Sequence, residues 1–182
     1  VSGGVDSALV VALLSAARAA EGSPLRRIVA MILPVEGKGA TGQSKAAEEG
    51  RRVAEQFNVD LWEAPLGSSL REMVHAIERA ADTPFSAWAE GQCVSVLRTP
   101  ALYGAAALLQ SRGYRSVVVG TTNRDEGSYL GFYGKASDGM VDVQPIADLH
   151  KSEVRALAEL LRVPTHIVSA APRGDVHDGR TD

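Results

Sequence analysis

Ser2-Gly3-Gly4-Val5-Asp6-Ser7, running straight into Ala8-Leu9-Val10-Val11-Ala12-Leu13-Leu14, decides how the rest of the chain is read. Two adjacent glycines permit positive φ and let the backbone come close to a bulky ligand. The small, apolar, helix-forming run from Asp6 to Ala20 follows at once, and Gly22-Ser23-Pro24 ends it. A helix that starts on a glycine turn aims its unpaired N–H groups and the positive end of its dipole into that turn. The dipole contributes about 0.3–1 kcal/mol per bound charge. Ser2 and Ser7 add hydroxyl donors, so the turn is a candidate phosphate cradle. Asp6 would repel a phosphate unless a cation stood between them, which implies Mg²⁺. A bare Ser-Gly-Gly is more simply a flexible turn and Asp-Ser an ordinary helix cap. It is the full string ahead of an apolar helix that favours phosphate binding. A Walker A loop is excluded, because no Gly-Lys-Ser/Thr ending occurs.

Outward from this loop, helical and extended stretches alternate. Ile28 to Leu33 is a continuous apolar run between Arg27 and Pro34, the pattern of a buried strand. Residues 34–42 are glycine-rich and expected to form a loop. Ser44 to Phe57 predicts a helix, Val59 to Ala64 a second strand, and Ser68 to Ala81 a helix with Leu70, Val74, Ile77 and Ala81 on one face. Thr83 to Gly91 is ambiguous. Helix resumes near Gln92 and reaches about Arg112, with Pro100 expected to kink or bound it. Ser116 to Val119 reads as a third strand ending on Gly120-Thr121, and Val141 to Ile146 as a further extended piece. Lys151 to Leu161 is an amphipathic helix expected to turn Val154, Leu157, Leu160 and Leu161 inward, and residues 169–182 read as a mobile loop. Strands separated by helices predict an α/β fold, a doubly wound parallel sheet with helices on both faces. In such sheets ligands bind beyond the carboxyl ends of the strands, where residues 1–7 and 120–126 both fall.

The chain has 182 residues, 45% hydrophobic and 23% charged, which predicts one domain over residues 1–182. It opens inside the motif at Val1, so it reads as truncated at both ends, with a strand expected before residue 2. The formal charge of −3 gives no global basic field for nucleic acid. A single cysteine, Cys93, excludes an intramolecular disulfide and fits a cytoplasmic setting. No run approaches the roughly 20 apolar residues of a membrane span.

The 2–7 string resembles the pyrophosphate loop of the N-type ATP pyrophosphatases, which is shared among several synthetases. Further blocks choose among them: Gly120-Thr121-Thr122-Asn123-Arg124-Asp125-Glu126, Gly131-Phe132-Tyr133-Gly134-Lys135, Asp138-Gly139-Met140-Val141-Asp142 and Pro145-Ile146-Ala147-Asp148-Leu149-His150-Lys151. With Val163-Pro164 and the closing Asp178-Gly179-Arg180-Thr181-Asp182, they resemble the NAD synthetase family along essentially the whole chain. The resemblance implies a Rossmann-like, adenine-nucleotide-hydrolase-like fold. It implies ATP-dependent amidation of deamido-NAD to NAD through an adenylated intermediate. ATP and Mg²⁺ are the implied co-substrate and metal, and a homodimer the implied assembly. Ammonia would be the direct nitrogen donor, or would be delivered by a glutamine amidase domain outside these residues.

Position by position, the resemblance implies that Asp6 and Glu126 hold the metal, that Ser2, Gly3, Gly4, Val5, Asp6, Ser7, Thr121 and Lys151 bind ATP, and that Arg98, Lys135 and Asp142 bind the dinucleotide. Asp6, Glu126 and Lys151 form the implied catalytic set. Taken alone, Glu126 also reads as a solvated helix carboxylate, Lys151 as the start of a surface helix, and Arg98 as a core-edge residue that snorkels. A lysine at a helix start opposes the dipole, so an anionic partner is expected for Lys151. Three positions depart from the family pattern: Ile32 and Pro100 stand where arginines are usual, and Arg173 where an ATP-contacting threonine is expected. His75, His150, His166 and His177 lack metal-ligand spacing. Two other readings stay open, a different N-type ATP pyrophosphatase and a nucleotide-binding module without turnover.

Overall fold

The computed structural model describes residues 1–35, 43–131 and 134–171. The expectations for the 34–42 loop beyond Val35, for Phe132 and Tyr133, and for Arg173 and the closing 178–182 motif lie outside the described residues.

Helix α1 (Val5–Ala19) is the centre of the molecule. Val5, Ala8, Leu9, Val10, Val11 and Ala12 are all buried, because small and branched side chains let other helices close on it from several sides. Strand β1 (Val29–Ile32), helix α2 (Gln43–Gln56) and strand β2 (Asp60–Glu63) form a βαβ unit with parallel pairing. The register sets Val29 beside Asp60 and Ile32 beside Glu63. Val1 N donates to Met31 O at 2.6 Å, from the edge of β1 opposite β2. The 2–7 loop therefore leaves the sheet at its carboxyl end, where the switch-point rule expects a ligand.

Helix α3 (Gly67–Ala81) packs on α4 (Ala87–Ser111) through a second apolar cluster of Val35, Leu70 and Val74 with Phe85, Val94 and Leu97. Leu70 and Val74 are buried as expected, whereas Ile77 and Ala81 face solvent, beyond the end of that contact. The ambiguous 83–91 stretch resolves as a turn followed by a helix start, with the Ser86 hydroxyl accepting from Ala89 N–H at 3.2 Å. Pro100 lies inside α4 and does not end it. It is exposed, and Val96, whose carbonyl loses the i+4 donor, is 44% exposed, so water can replace the bond.

The expected third strand at 116–119 and the extended piece at 141–146 meet in one parallel bridge, Val119 with Val143. Pairing is brief because the Val118 N–H is taken by the Asp142 carboxylate at 2.7 Å rather than by a backbone carbonyl. Gly120 lets the two segments close up here, since a Cβ would lie 2.8 Å from Val141 Cγ2 and force that side chain to shift. Residues 125–130, part of a stretch whose sequence is polar and glycine-dotted, form a π-helical turn (Asp125–Leu130). Such turns recur at functional sites. Helix α5 (Lys151–Leu160) then packs Val154 and Ala158 on α1, and the short α6 (Thr165–Val168) buries Ile167 and Val168 in the same core. Leu160 is 74% exposed, contrary to expectation. The inward face is Val154, Leu157, Ala158 and Leu161, spaced i, i+3, i+4, i+7, and Leu160 falls off that phase.

Candidate active site

The loop at the start of α1 is fastened by its own serines. Ser2 N–H donates to Ser7 Oγ at 3.2 Å, the two hydroxyl oxygens lie 3.2 Å apart, and Ser7 Oγ donates to Gly4 O at 3.1 Å. Ser7 is buried and works inward, while Ser2 is exposed. Gly3 sits at φ +76°, and a Cβ there would lie 2.5 Å from Ala46 O of α2. Only glycine allows loop and helix to approach this closely. Gly4 caps α1 with no side-chain acceptor. The first N–H groups of the helix are thus left for another acceptor, the condition for an anion site.

Asp6, in the first turn of α1, meets residues from two distant stretches. Asn123 Nδ2 donates to Asp6 Oδ1 at 2.8 Å, and Lys151 Nζ donates to Asp6 Oδ2. The same Lys151 ammonium donates to Glu126 Oε1 at 3.2 Å. Asp6, Glu126 and Lys151, expected from separate motifs, are therefore brought together. The anionic partners expected for Lys151 are these two carboxylates. Lys151 is held at the first position of α5 by Asp125, whose Oδ2 accepts the Lys151 backbone N–H at 2.8 Å. Asp125 Oδ1 lies 2.7 Å from His150 Nδ1. The Lys151 N–H bond, and next the His150 bond, hold the Asp125 carboxyl below the usual carboxylate range. Thr121 is half-buried at the end of the extended segment, followed by buried Thr122 and Asn123.

The three residues expected at the dinucleotide lie apart from this cluster, along α4. Arg98 is half-buried on α4. Its neighbour Thr99 donates to Ala136 O at 2.8 Å, which holds the exposed Lys135 turn against α4 near Arg98. One helical turn on, Tyr103 OH donates to Asp142 Oδ1 at 3.2 Å. Arg98 thus lies on α4, while the Lys135 turn and Asp142 belong to loop segments tied to the same helix through Thr99 and Tyr103. Asp142 also braces the fold through the Val118 N–H. Ile32 is buried under α2 and packs toward Gly50, so its side chain belongs to the core rather than to the loop surface.

The sequence signals missed Asn123, Asp125 and Tyr103. Asn123 is only 1% exposed, but nothing in its own surroundings in the chain marks it as buried. Its importance follows from Asp6, 117 positions away. Among the described residues no group of three or more His, Cys, Asp or Glu could hold a metal alone. Asp6 and Glu126, two carboxylates balanced by one ammonium, suit a hard divalent cation that keeps water and shares phosphate oxygens.

A parallel α/β sheet, a glycine loop feeding an uncapped helix and an acidic pair at the carboxyl ends of the strands define an α/β protein with a candidate anion site at its switch point. The sequence profile of the NAD synthase family matches residues 1–182, and the chain belongs to that family. It is 32% identical over 185 residues to an NH(3)-dependent NAD(+) synthetase of Methanococcoides burtonii, with 100% of this chain and 63% of the relative covered. The chain thus spans a little under two thirds of that relative's length. Among solved structures it is similar to an NMN synthetase from Francisella tularensis, with TM-score 0.77, 28% identity, and 100% of this chain and 67% of the other covered. It is also similar to an NH3-dependent NAD synthetase from Campylobacter jejuni, with TM-score 0.71, 26% identity, and 92% and 64% covered.

Proposed function

We propose that this chain carries out ATP-dependent amidation of deamido-NAD to NAD, with ammonia as nitrogen donor, through an adenylated intermediate. The observation that carries this is the convergence of Asp6, Glu126 and Lys151 at the uncapped start of α1. A carboxylate is a poor acyl electrophile because oxide would have to leave. Attack of the nicotinate carboxylate on the α-phosphorus of ATP expels pyrophosphate and makes AMP the leaving group. Ammonia then attacks the acyl carbon, AMP departs and the carboxamide remains.

The backbone N–H groups of residues 3–7 and the Ser2 hydroxyl hold the departing pyrophosphate. Thr121 and Lys151 complete the ATP contacts, and Lys151 adds positive charge where negative charge builds up. Asp6 and Glu126 hold Mg²⁺, which when bound supplies charge neutralisation at the phosphates. Positioning and electrostatics suffice, so no nucleophilic side chain is required. Arg98 and Lys135 bind the anionic dinucleotide along α4, and the exposed Asp142 carboxylate completes that site.

Residues 1–182 act as one unit, in the cytoplasm, as a homodimer. The dimer rests on the middle of α4, where Val96, Pro100 and Gly104 follow at four-residue spacing and all are exposed. Such an i, i+4 ridge is what two helices interdigitate when they cross. Among the described residues no helix is long and apolar enough to cross a membrane.

A second reading keeps the chemistry and changes the substrate to the corresponding mononucleotide. The likeness to the Francisella tularensis NMN synthetase favours it. Mass spectrometry of reactions containing MgATP and ammonium, with deamido-NAD or with nicotinate mononucleotide, separates the two. NAD and AMP formed together, only with metal, are expected. NMN formed in preference supports the second reading, and absence of AMP with either substrate overturns both.

A further inference from the structure

The four polar residues at the start of α1 form a closed circuit, in which Lys151 and Asn123 each touch Asp6 and the Glu126 residue. The two connectors differ in kind. Lys151 reaches in on a flexible four-carbon arm and is free to follow a phosphate. Asn123 is 1% exposed and locked at both ends. Its Nδ2 donates to Asp6 Oδ1 at 2.8 Å, and its Oδ1 accepts the Glu126 backbone N–H at 3.0 Å. Chemistry fixes the amide's orientation: a carboxylate only accepts and a backbone N–H only donates, so a flipped amide would lose both bonds. One bond fixes Asp6 by its Oδ1 and leaves Oδ2 to the Lys151 ammonium, which also reaches Glu126. The other starts the π turn, Asp125–Leu130, that carries Glu126 alongside.

We infer that Asn123 is the positioning residue of the Asp6–Glu126 carboxylate pair, fixing the spacing and orientation at which that pair receives a divalent cation with its nucleotide. This rests on the proposed metal role of Asp6 and Glu126. Groups that orient ligating carboxylates typically change metal affinity by about 10–100-fold when removed. A purely structural asparagine would change stability and leave metal affinity alone.

The test compares the full chain with Asn123→Leu and Asp6→Asn, following Mn²⁺ by electron paramagnetic resonance with ATP present and folding by circular dichroism. Asn123→Leu is expected to bind Mn²⁺ about 10–100-fold more weakly, with metal-free ATP binding within about twofold of the parent. A folded Asn123→Leu with parental Mn²⁺ affinity overturns the proposal while the metal site stands, provided Asp6→Asn has lost the ion. A parent chain that holds no Mn²⁺ with ATP overturns the metal role of the pair, and with it the role of Asn123. Should Asn123→Leu not fold, the Asn123 side-chain amide signals of the parent are followed by nuclear magnetic resonance. Displacement of both signals on adding Mg²⁺ with ATP is expected, and signals that stay in place overturn the proposal.

Discussion

Asp6 spends its two oxygens on different kinds of donor, an amide and an ammonium. Asp6→Asn keeps the volume and an oxygen for Asn123 but removes the charge. Folding should hardly notice, because Lys151 keeps its bond to Glu126 and Asn123 keeps an oxygen partner at position 6. A melting temperature within about 4 °C of the parent is expected. Turnover should fall by about 10²–10³-fold, the scale of loss when one group that stabilises developing charge is removed, here by weakening the cation that Asp6 would hold. Near-parental NAD formation by Asp6→Asn would remove Asp6 from the mechanism. Asp6 was legible beside its glycine turn, whereas Glu126 and Lys151 were singled out by the motifs that resemble the family, since each alone also reads as an ordinary helix charge. Asn123 was not legible, since an amide gains meaning only from what it meets in space. Asp142 was legible as a charge, but its bond to the Val118 N–H was not, because that bond depends on a pairing between two segments that neither segment signals alone.

At the scale of elements, α3 and α5 follow from 3.6-residue apolar periodicity, α1 from small apolar helix formers ahead of a breaker, α2 from its serine cap, and β1 and β2 from short runs between breakers. The 125–130 π turn has no such period, being set by Asn123 and by Asp125 reaching α5. Two joints between elements carry predictions. Gly3→Ala places an L residue at φ +76° and a methyl 2.5 Å from Ala46 O, so α2 must retreat from the loop. The left-handed backbone alone costs about 1–2 kcal/mol. A lowered urea midpoint together with weakened ATP binding is expected, and a midpoint equal to the parent's would show that the loop tolerates the shift. The second joint is Glu49 of α2, with its carboxylate 2.6 Å from His166 Nε2 of α6. The His166 bond, helped by the nearby charges of His166, Arg52 and Lys45, holds Glu49 below the ordinary glutamate value of 4.5. A lowered folded value means the stabilisation is complete above 4.5 and fades as pH falls through the folded value. The stability gap between parent and Glu49→Gln should therefore be largest near neutrality and close in acid. A gap that stays constant as pH drops well below 4.5 would assign the effect to packing.

Over the whole molecule, α4 is the element least explained by its own chain. It has 25 residues, yet only Thr99 and Ala106 are buried. Its sequence is too apolar for a helix meant to face water, with Trp88 67% and Leu108 49% exposed. Exposed apolar side chains gathered on one helix are a candidate contact with another molecule. The ridge shares α4 with Arg98 and Tyr103, so whatever covers it also steadies the proposed dinucleotide site. A second copy of the chain fits best, because an i, i+4 ridge with a small residue at Gly104 interdigitates with its own image about a two-fold axis. Val96→Arg charges the middle of the ridge while leaving Thr99, Ala106 and the α3 contact untouched. Sedimentation velocity should show a dimer for the parent and a monomer for Val96→Arg. The monomer should keep its ATP affinity, since Asp6, Glu126 and Lys151 lie on other elements, and should bind the dinucleotide more weakly. A Val96→Arg chain that still sediments as a dimer would move the interface off α4. A parent chain that is monomeric would leave α4 to a partner of another kind.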